Sequence, residues 1–317
     1  NDIAARLSDW RMDTRAEQLA DRPRIPYVAE CYQPVYRAKP DAFAGPDTAH
    51  FQQDAVYEDW VPNDFALIHD GLRWHIFGIT HPCPPGYRGE AFDPATIHEG
   101  EWQLFHAVSE SGAPLRDLMR PESFVQCPQV LRAKDRPDEP RGIYAPVVFK
   151  KDDAYWMLYS PDPFRWAESK DLFHWTPKGI AFTAGAQGYS RDPNIFHQDG
   201  TMYCIYLARG GLFIRTIDTE GQHGEHSLLR PSKPGIEAES PILFQKDGWW
   251  YLLYCEFDPK RDQRSAYGRL TRVYAAKTLN GLYDAPLLTT LPAHAPEVVQ
   301  DFDGVWYLAS AEFPWRG

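Results

Sequence analysis

The sequence predicts an all-β fold, a five-bladed β-propeller preceded by a short helical and extended N-terminal segment. Three observations predict it. A strand phrase recurs five times, beginning at Asp64-Phe65, Ala145-Pro146, Asp192-Pro193, Ser240-Pro241 and Ala295-Pro296. Each copy runs through an apolar stretch into a tight turn: Asp70-Gly71, Asp152-Asp153, Asp199-Gly200, Asp247-Gly248 or Asp303-Gly304. Each turn leads into an aromatic strand. Asp-Gly between apolar runs is a hairpin signal, because glycine accepts the positive φ of the turn. After a longer first gap the turns lie roughly 47 to 56 residues apart, which suits one four-stranded blade each.

Residues from Ile3 to Ala20 have helix-compatible composition, with Leu7, Trp10 and Leu19 as apolar points. A strand-like piece follows from Pro26 to Tyr36, then a Pro/Gly-rich linker from Lys39 to Asp47. Residues 1–50 therefore read as an extension packing on the propeller, and 51–317 as the propeller itself. The aromatic strands are expected at Trp74 to Gly78, Tyr155 to Tyr159, Tyr203 to Tyr206, Trp249 to Tyr254 and Trp306 to Ala309. The excess of the first gap falls between Thr80 and Pro140, rich in Pro, Gly and charge. It reads as an insertion on a loop face that shapes a pocket. The fifth repeat stops soon after its aromatic strand. Either the segment from Val28 to Tyr36 completes the ring, or more chain follows.

Bulk properties narrow the function. A net charge of -11 argues against a nucleic-acid partner, which needs basic stripes. No stretch reaches the roughly 18 apolar residues of a membrane span. The chain opens on a polar segment at Asn1 with no visible signal peptide, and a trimmed start looks the same. Location stays open between cytoplasmic and exported, and so does oligomeric state. The 5 cysteines include no C-x-x-C pair, which disfavours a zinc site. Cys204 and Cys255, inside aromatic strands, read as small buried hydrophobes.

Radial repeats place equivalent positions around one axis, so Asp64, Asp192 and Glu239 are expected to meet. Converging carboxylates are the apparatus of glycosidic bond cleavage. A glycosidic oxygen needs a proton as it leaves, so one carboxyl must stay protonated near neutral pH. A neighbouring carboxylate raises that pKa by like-charge repulsion, as Asp192 would do for Glu239. Asp64 is the candidate base or nucleophile on the other side of the sugar. Taken singly, each Asp reads as a turn or strand-start residue. Three acids in register at the heads of three repeats favour catalysis.

Tyr144 and His294 stand where Glu239 stands and are expected to face the axis. Trp60, Tyr144, Tyr189 and Trp315 lie beside strand heads or the end of the fifth strand, where aromatic faces can stack on sugar C–H groups. Asn63, Arg191 and Arg316 join them as candidate sugar contacts, and Arg191 is also a candidate to orient the carboxylates. Propeller packing is the reading for Trp249, Trp250 and Trp306. Asp199, Asp247 and Asp303 are turn formers. His69, His75, His81, His98 and His106 show no ligand spacing.

The phrases Asn63-Asp64-Phe65, Tyr144-Ala145-Pro146, Arg191-Asp192-Pro193 and Glu239-Ser240-Pro241 resemble the five-bladed propeller glycoside hydrolases of families 43, 62, 32 and 68, over roughly Asp54 to Gly317. Family 43 is the most similar, and its members act mainly on arabinofuranosides and xylosides. That resemblance implies Glu239 as general acid, Asp64 as general base and Asp192 as the group that orients the acid and tunes its pKa. It implies an inverting glycosidase acting on an oligosaccharide or polysaccharide-derived substrate. No cofactor is required, and a single structural cation such as calcium near the central channel is the family-like addition, with His294 as its candidate ligand. A packed or hydrogen-bonded His294 is the competing reading. Phe65 departs from the usual Asp-Pro, and Arg191-Asp192-Pro193 and Trp60-Val61-Pro62-Asn63-Asp64 resemble the fructofuranosidases of family 32, in which the first Asp is a nucleophile. A retaining fructofuranosidase-like enzyme and a non-catalytic carbohydrate-binding propeller are the alternatives.

Overall fold

The structure, a computed structural model, describes residues 21–29, 32–36, 59–83, 103–132, 142–184, 190–258, 260 and 270–311. Every regular element among them is a strand or a single turn of 3-10 helix. The first blade holds β1 (Asp59–His69), β2 (Trp74–Cys83), β3 (Gln103–Ser109) and β4 (Phe124–Arg132). The second holds β5 (Tyr144–Lys151), β6 (Ala154–Ser160), β7 (Phe164–Ser169) and β8 (Trp175–Phe182). The third holds β9 (Arg191–Gln198), β10 (Thr201–Ala208), β11 (Gly211–Thr216) and β12 (Ser227–Pro231). The fourth holds β13 (Glu237–Lys246), β14 (Trp249–Phe257), β15 (Thr271–Ala276) and β16 (Leu287–Leu291). The fifth repeat forms a two-stranded sheet of β17 (Glu297–Gln300) and β18 (Trp306–Ala309). Four blades are thus complete four-stranded meanders, and the fifth is a hairpin among the described residues.

The turns behave as their residues require. Asp199 and Gly200 both have positive φ (50° and 76°), and so do Asp247 and Gly248 (51° and 74°), the signature of a tight two-residue hairpin. Asp70 instead caps a longer loop, its Oδ1 accepting the N–H groups of Leu72 and Arg73, both at 2.6 Å.

The aromatic second strands are apolar on both faces because both faces are buried. Trp250, Leu252 and Tyr254 enter the core between the third and fourth blades, while Tyr251 and Leu253 enter the core between the fourth blade and the fifth sheet. β6 and β10 divide their side chains in the same way. Five apolar clusters result, one between each neighbouring pair of sheets around the ring. Trp250 is buried there, and Trp249 and Trp306 pack at the margins of these cores under Lys277 and Lys246. Cys204 and Cys255 are buried free thiols. Burial pushes the Cys255 thiol up to about 12.

Ring closure joins the fifth sheet to the first blade. Asp301 Oδ2 accepts the Leu115 N–H at 2.6 Å, and Asp303 pairs with Arg116. β17 neighbours β1, as β1 neighbours β5, β5 neighbours β9 and β9 neighbours β13.

Two expectations need correction. The span from Thr80 to Pro140 is not one insertion: it carries β3 and β4, which complete the first blade. The segment from Pro26 to Tyr36 forms no strand where it is described. Pro26 and Pro34 lack the N–H that a ladder needs. The segment docks by side chains instead. Val28 packs on the core beside the fourth blade, Val35 and Tyr36 on the core beside the first, and Tyr36 stacks on Phe105 with ring centroids 5.1 Å apart. The expected helix from Ile3 to Ala20 and the linker from Lys39 to Asp47 lie outside the described residues. No helix among the described residues is long and apolar enough to cross a membrane.

A buried histidine pair sits between the first and second blades. His75 Nδ1 lies 2.8 Å from His106 Nε2, and His75 Nε2 lies 3.2 Å from Asp70 Oδ2. With Asp70 accepting from His75 and His75 accepting from His106, both imidazoles are neutral. Burial holds both pKa values below the ordinary histidine range, His106 at about 3. The unfolded chain, with histidines near ~6.5, binds more protons below that pH. Stability is therefore complete above pH ~6.5 and falls as pH drops below it, by about 1.4 kcal/mol per pH unit for the His106 proton. Urea midpoints at pH 7.5 and 5.5 should show this loss, and His106→Leu should lose less. An equal loss in the variant would exclude the pair as its source. In the core between the third and fourth blades, Leu252→Ala should cost about 2–5 kcal/mol by the same measurement at pH 7.5.

Candidate active site

Each inner strand begins with the same backbone device. Asp64, Ala145, Asp192, Ser240 and Ala295 have φ of 40°, 46°, 56°, 47° and 44°, all left-handed and none a glycine. The ladder register breaks at this point in each complete blade: between Asn63 and Phe65, Tyr144 and Val147, and Glu239 and Ile242, and on the partner strand between Ile205 and Leu207 in the third. A bulge leaves one residue unpaired, so the Pro that follows in four of the five repeats costs no ladder hydrogen bond. Asp tolerates the left-handed region because its short side chain bonds locally.

The heads of all five repeats line one narrow axial cavity. Asp64 and Asp192 both face it, with Ala145, Ser240 and Ala295 at the equivalent places. Glu239 is one residue out of register with the two aspartates: it precedes the left-handed residue, as do Asn63, Tyr144, Arg191 and His294. The acids therefore come from two adjacent rings rather than one.

Arg191, Asp192 and Glu239 form a buried cluster, each side chain less than one-tenth exposed. The Arg191 guanidinium donates to Glu239 Oε1 at 2.8 Å and lies 3.6 Å from Asp192 Oδ2 and 3.4 Å from Glu237 Oε2. Asp192 Oδ2 accepts the Ser240 N–H at 3.0 Å, and the Asp192 N–H donates to Ser160 Oγ at 2.9 Å. One aspartate thereby ties three successive blades at their heads. Glu239 Oε2 is buried with no hydrogen-bond partner. Burial pushes the Glu239 carboxyl up to about 7; Arg191 opposes the rise, and Asp192 and Glu237 add to it. Because Arg191 occupies Oε1, the proton belongs on Oε2, and that oxygen is uncommitted.

The remaining candidates divide. Asn63 and His294 are buried at strand heads, and Tyr144 is half-buried against the core between the first and second blades. The His294 backbone is fixed by Ser310, whose Oγ accepts the His294 N–H at 3.0 Å. Trp60 lies in β1 opposite Pro82, and its side chain is not among those described. Tyr189, Trp315 and Arg316 lie outside the described residues. Two residues were not anticipated. Glu237 shares a face of β13 with Glu239, which its spacing of two residues could have shown. Glu297 lines the axial cavity two residues past Ala295, and its enclosure by protein pushes its carboxyl up to about 8.

Calcium takes about 6–8 oxygen ligands. Among the described residues no group of three or more His, Cys, Asp and Glu side chains could hold a metal ion, around His294 or elsewhere.

The sequence model for glycosyl hydrolases family 43 matches residues 85–284, a span that includes Asp192 and Glu239 and excludes Asp64 and His294. The chain belongs to that family. It is 24% identical over 273 residues to a protein named "Putative beta-xylosidase" from Escherichia coli (strain K12), covering 73% of this chain and 48% of that one. It is 22% identical over 214 residues to a 1,2-beta-oligomannan phosphorylase from Thermoanaerobacter sp. (strain X514), covering 62% and 65%. The chain thus spans between about half and two thirds of these relatives. Among solved structures, an exo-1,5-alpha-L-arabinanase from a bovine ruminal metagenomic library is similar at a TM-score of 0.56, with 16% identity over 81% of this chain and 89% of that one. The Bacillus subtilis arabinanase Arb43A gives a TM-score of 0.52, with 14% identity over 80% and 95%. These likenesses show the fold.

The cluster predicts the sign of two pH effects. Asp192→Asn removes a negative charge that raises the Glu239 pKa, so the alkaline limb of any acid-dependent pH–rate profile should move to lower pH. Arg191→Gln removes the opposing positive charge and should move the limb to higher pH. Opposite or absent shifts in kcat/KM profiles, which report the free enzyme's groups, would detach this cluster from the reaction.

Proposed function

We propose that the protein is a glycosidase that removes a terminal pentose, arabinofuranose or xylose, from an oligosaccharide or polysaccharide-derived chain, with inversion of configuration. The observation that carries this reading is Glu239: a buried carboxyl raised to about 7, fixed through Oε1 by Arg191 and with Oε2 uncommitted. Near neutral pH a large share of such a group is protonated and can donate to a leaving glycosidic oxygen. The family match and the xylosidase and arabinanase names among the similar proteins support the pentose.

In the proposed step, the C1–O bond of the substrate breaks as Glu239 Oε2 gives its proton to the departing oxygen. A water attacks C1 from the opposite face, and Asp64, which lines the axial cavity with Asp192, takes the water's proton. The charge of Asp192 favours the protonated form of Glu239. Asp64 then releases the water's proton to solvent and Glu239 regains one from it. Inversion through water calls for a carboxyl separation of about 6.5–9.5 Å between Asp64 and Glu239, against about 5–5.5 Å for a covalent intermediate on Asp64.

Phosphate as the attacking group, suggested by the name of the oligomannan phosphorylase, has less support, because Arg191 is already engaged by three carboxylates. The family 32-like Arg191-Asp192-Pro193 phrase favours retention with Asp64 as nucleophile. The stereochemistry separates the two.

Aryl arabinofuranosides and xylosides supply the test. Glu239→Gln should lower kcat/KM by about 10²- to 10⁴-fold on a poor leaving group and far less on an activated one. Proton NMR of the first-formed sugar should show the inverted anomer. Retention would place a covalent intermediate on Asp64, and full activity in Glu239→Gln would overturn the acid assignment.

A further inference from the structure

A groove lies between the third and fourth blades, away from the axis. Its place follows from strand direction. β13 runs from the head at Glu239 to the Asp247-Gly248 turn, β14 returns, and β15 runs back so that Ala276 pairs with Trp250 near that turn. β11 likewise ends with Thr216 beside Tyr203, near the Asp199-Gly200 turn. The loops that follow β11 and β15 wall the groove, so it opens on the face opposite the carboxylates.

One wall presents an exposed aromatic ring on a rigid support. Tyr283 is 49% exposed. It follows a 3-10 turn, Asn280–Leu282, and its N–H donates to Asn280 O at 3.2 Å. Leu282 is fully buried in the core below, and its carbonyl accepts from Arg230 at 2.7 Å. The opposite wall holds Tyr203, whose ring stacks on Phe196 with centroids 4.9 Å apart. Ile214 and Leu228 supply apolar surface between them, and Thr216, Ser227 and Asn280 supply hydroxyl and amide groups.

The charges point to a neutral ligand. Arg215 lines the groove, but its guanidinium is spent on the carbonyls of Gly224 and Thr183 and lies over the Phe182 ring, 4.7 Å from its centroid. No anion can claim it without breaking those bonds. Glu225 is a single exposed carboxylate, too little to recruit a cationic partner. Aromatic faces with hydroxyl and amide groups around an apolar floor, and no free cation among the described lining residues, match an uncharged polyol ring better than a phosphate, a nucleotide or a peptide terminus.

We propose that this groove is a second carbohydrate-binding site, which holds a neutral oligosaccharide segment on the face opposite the catalytic cluster. Its ligand class rests on the glycosidase reading; its location does not. Such a site would raise the local concentration of a polymeric substrate without touching the bond that is cut.

The test uses native electrophoresis through gels containing linear arabinan or arabinoxylan, together with kcat/KM on the same polysaccharides and on an aryl glycoside. Wild type and Glu239→Gln should be retarded alike by at least one polysaccharide. Tyr283→Ala and Asn280→Ala should each lose at least threefold of that retardation, while Tyr283→Phe keeps most of it. Tyr283→Ala should lower kcat/KM on the retained polysaccharide severalfold and leave the aryl glycoside unchanged. Retardation equal to wild type in both alanine variants, or no retardation of wild type by either polymer, overturns the groove. Retardation that depends on Tyr283 in a protein that cleaves no glycoside keeps the groove and removes the catalytic reading instead.

Discussion

The left-handed residue at the head of every inner strand is the constraint on which the rest depends. A non-glycine residue held there costs on the order of 1–2 kcal/mol. The structure repeats it at Asp64, Ala145, Asp192, Ser240 and Ala295. Its effect is to break the ladder, bend the strand and turn consecutive side chains toward the axis. Without the bulge, Arg191 and Glu239 would continue the alternation of β9 and β13 into the cores between blades, where charges have no partners. With it, four charged groups from two strands meet within 4 Å contacts. The backbone cost is offset by the apolar cores between blades, which bury both faces of β2, β6, β10 and β14.

The buried cluster shows how opposing charges set one pKa. Burial alone would raise Glu239, and Arg191 alone would lower it. Asp192 and Glu237 share Arg191 with Glu239, so the guanidinium is divided among three carboxylates and cannot fully ionise the acid. Asp192 is held by backbone and hydroxyl bonds to two other blades, which fixes its distance from Glu239 independently of the arginine. The acid's protonation is thus a property of blade packing as much as of the residues themselves.

Much of this was legible in the sequence, for physical reasons that differ by element. Asp-Gly turns and doubly buried aromatic strands carry strong local signals, and the recurrence of the X-Pro head reports a bulge that needs no N–H. β3 and β4 were illegible. Gln103–Ser109 is buried throughout yet includes Gln103 and His106, which read as polar. Phe124–Arg132 contains Pro128, tolerable only because β4 is the outermost strand of its sheet. The segment from Pro26 to Tyr36 was mistaken for a strand because its apolar residues dock individually. At the site, the three acids read as sharing one register, whereas Glu239 stands one residue before the position that Asp64 and Asp192 occupy. Only the positive φ values separate the ring of Asp64 and Asp192 from the ring of Glu239. The histidine pair was invisible because His75 and His106 are far apart in sequence and meet through strand pairing.

The place of Glu239 in the cluster raises its carboxyl to about 7, so that it keeps its proton near neutrality. Carbon-13 NMR of side-chain-labelled glutamate, followed across pH, reads this directly. The resonance that disappears in Glu239→Gln should titrate near pH 7, well above the exposed glutamates. A titration of that resonance near pH ~4, the ordinary glutamate range, would contradict the account.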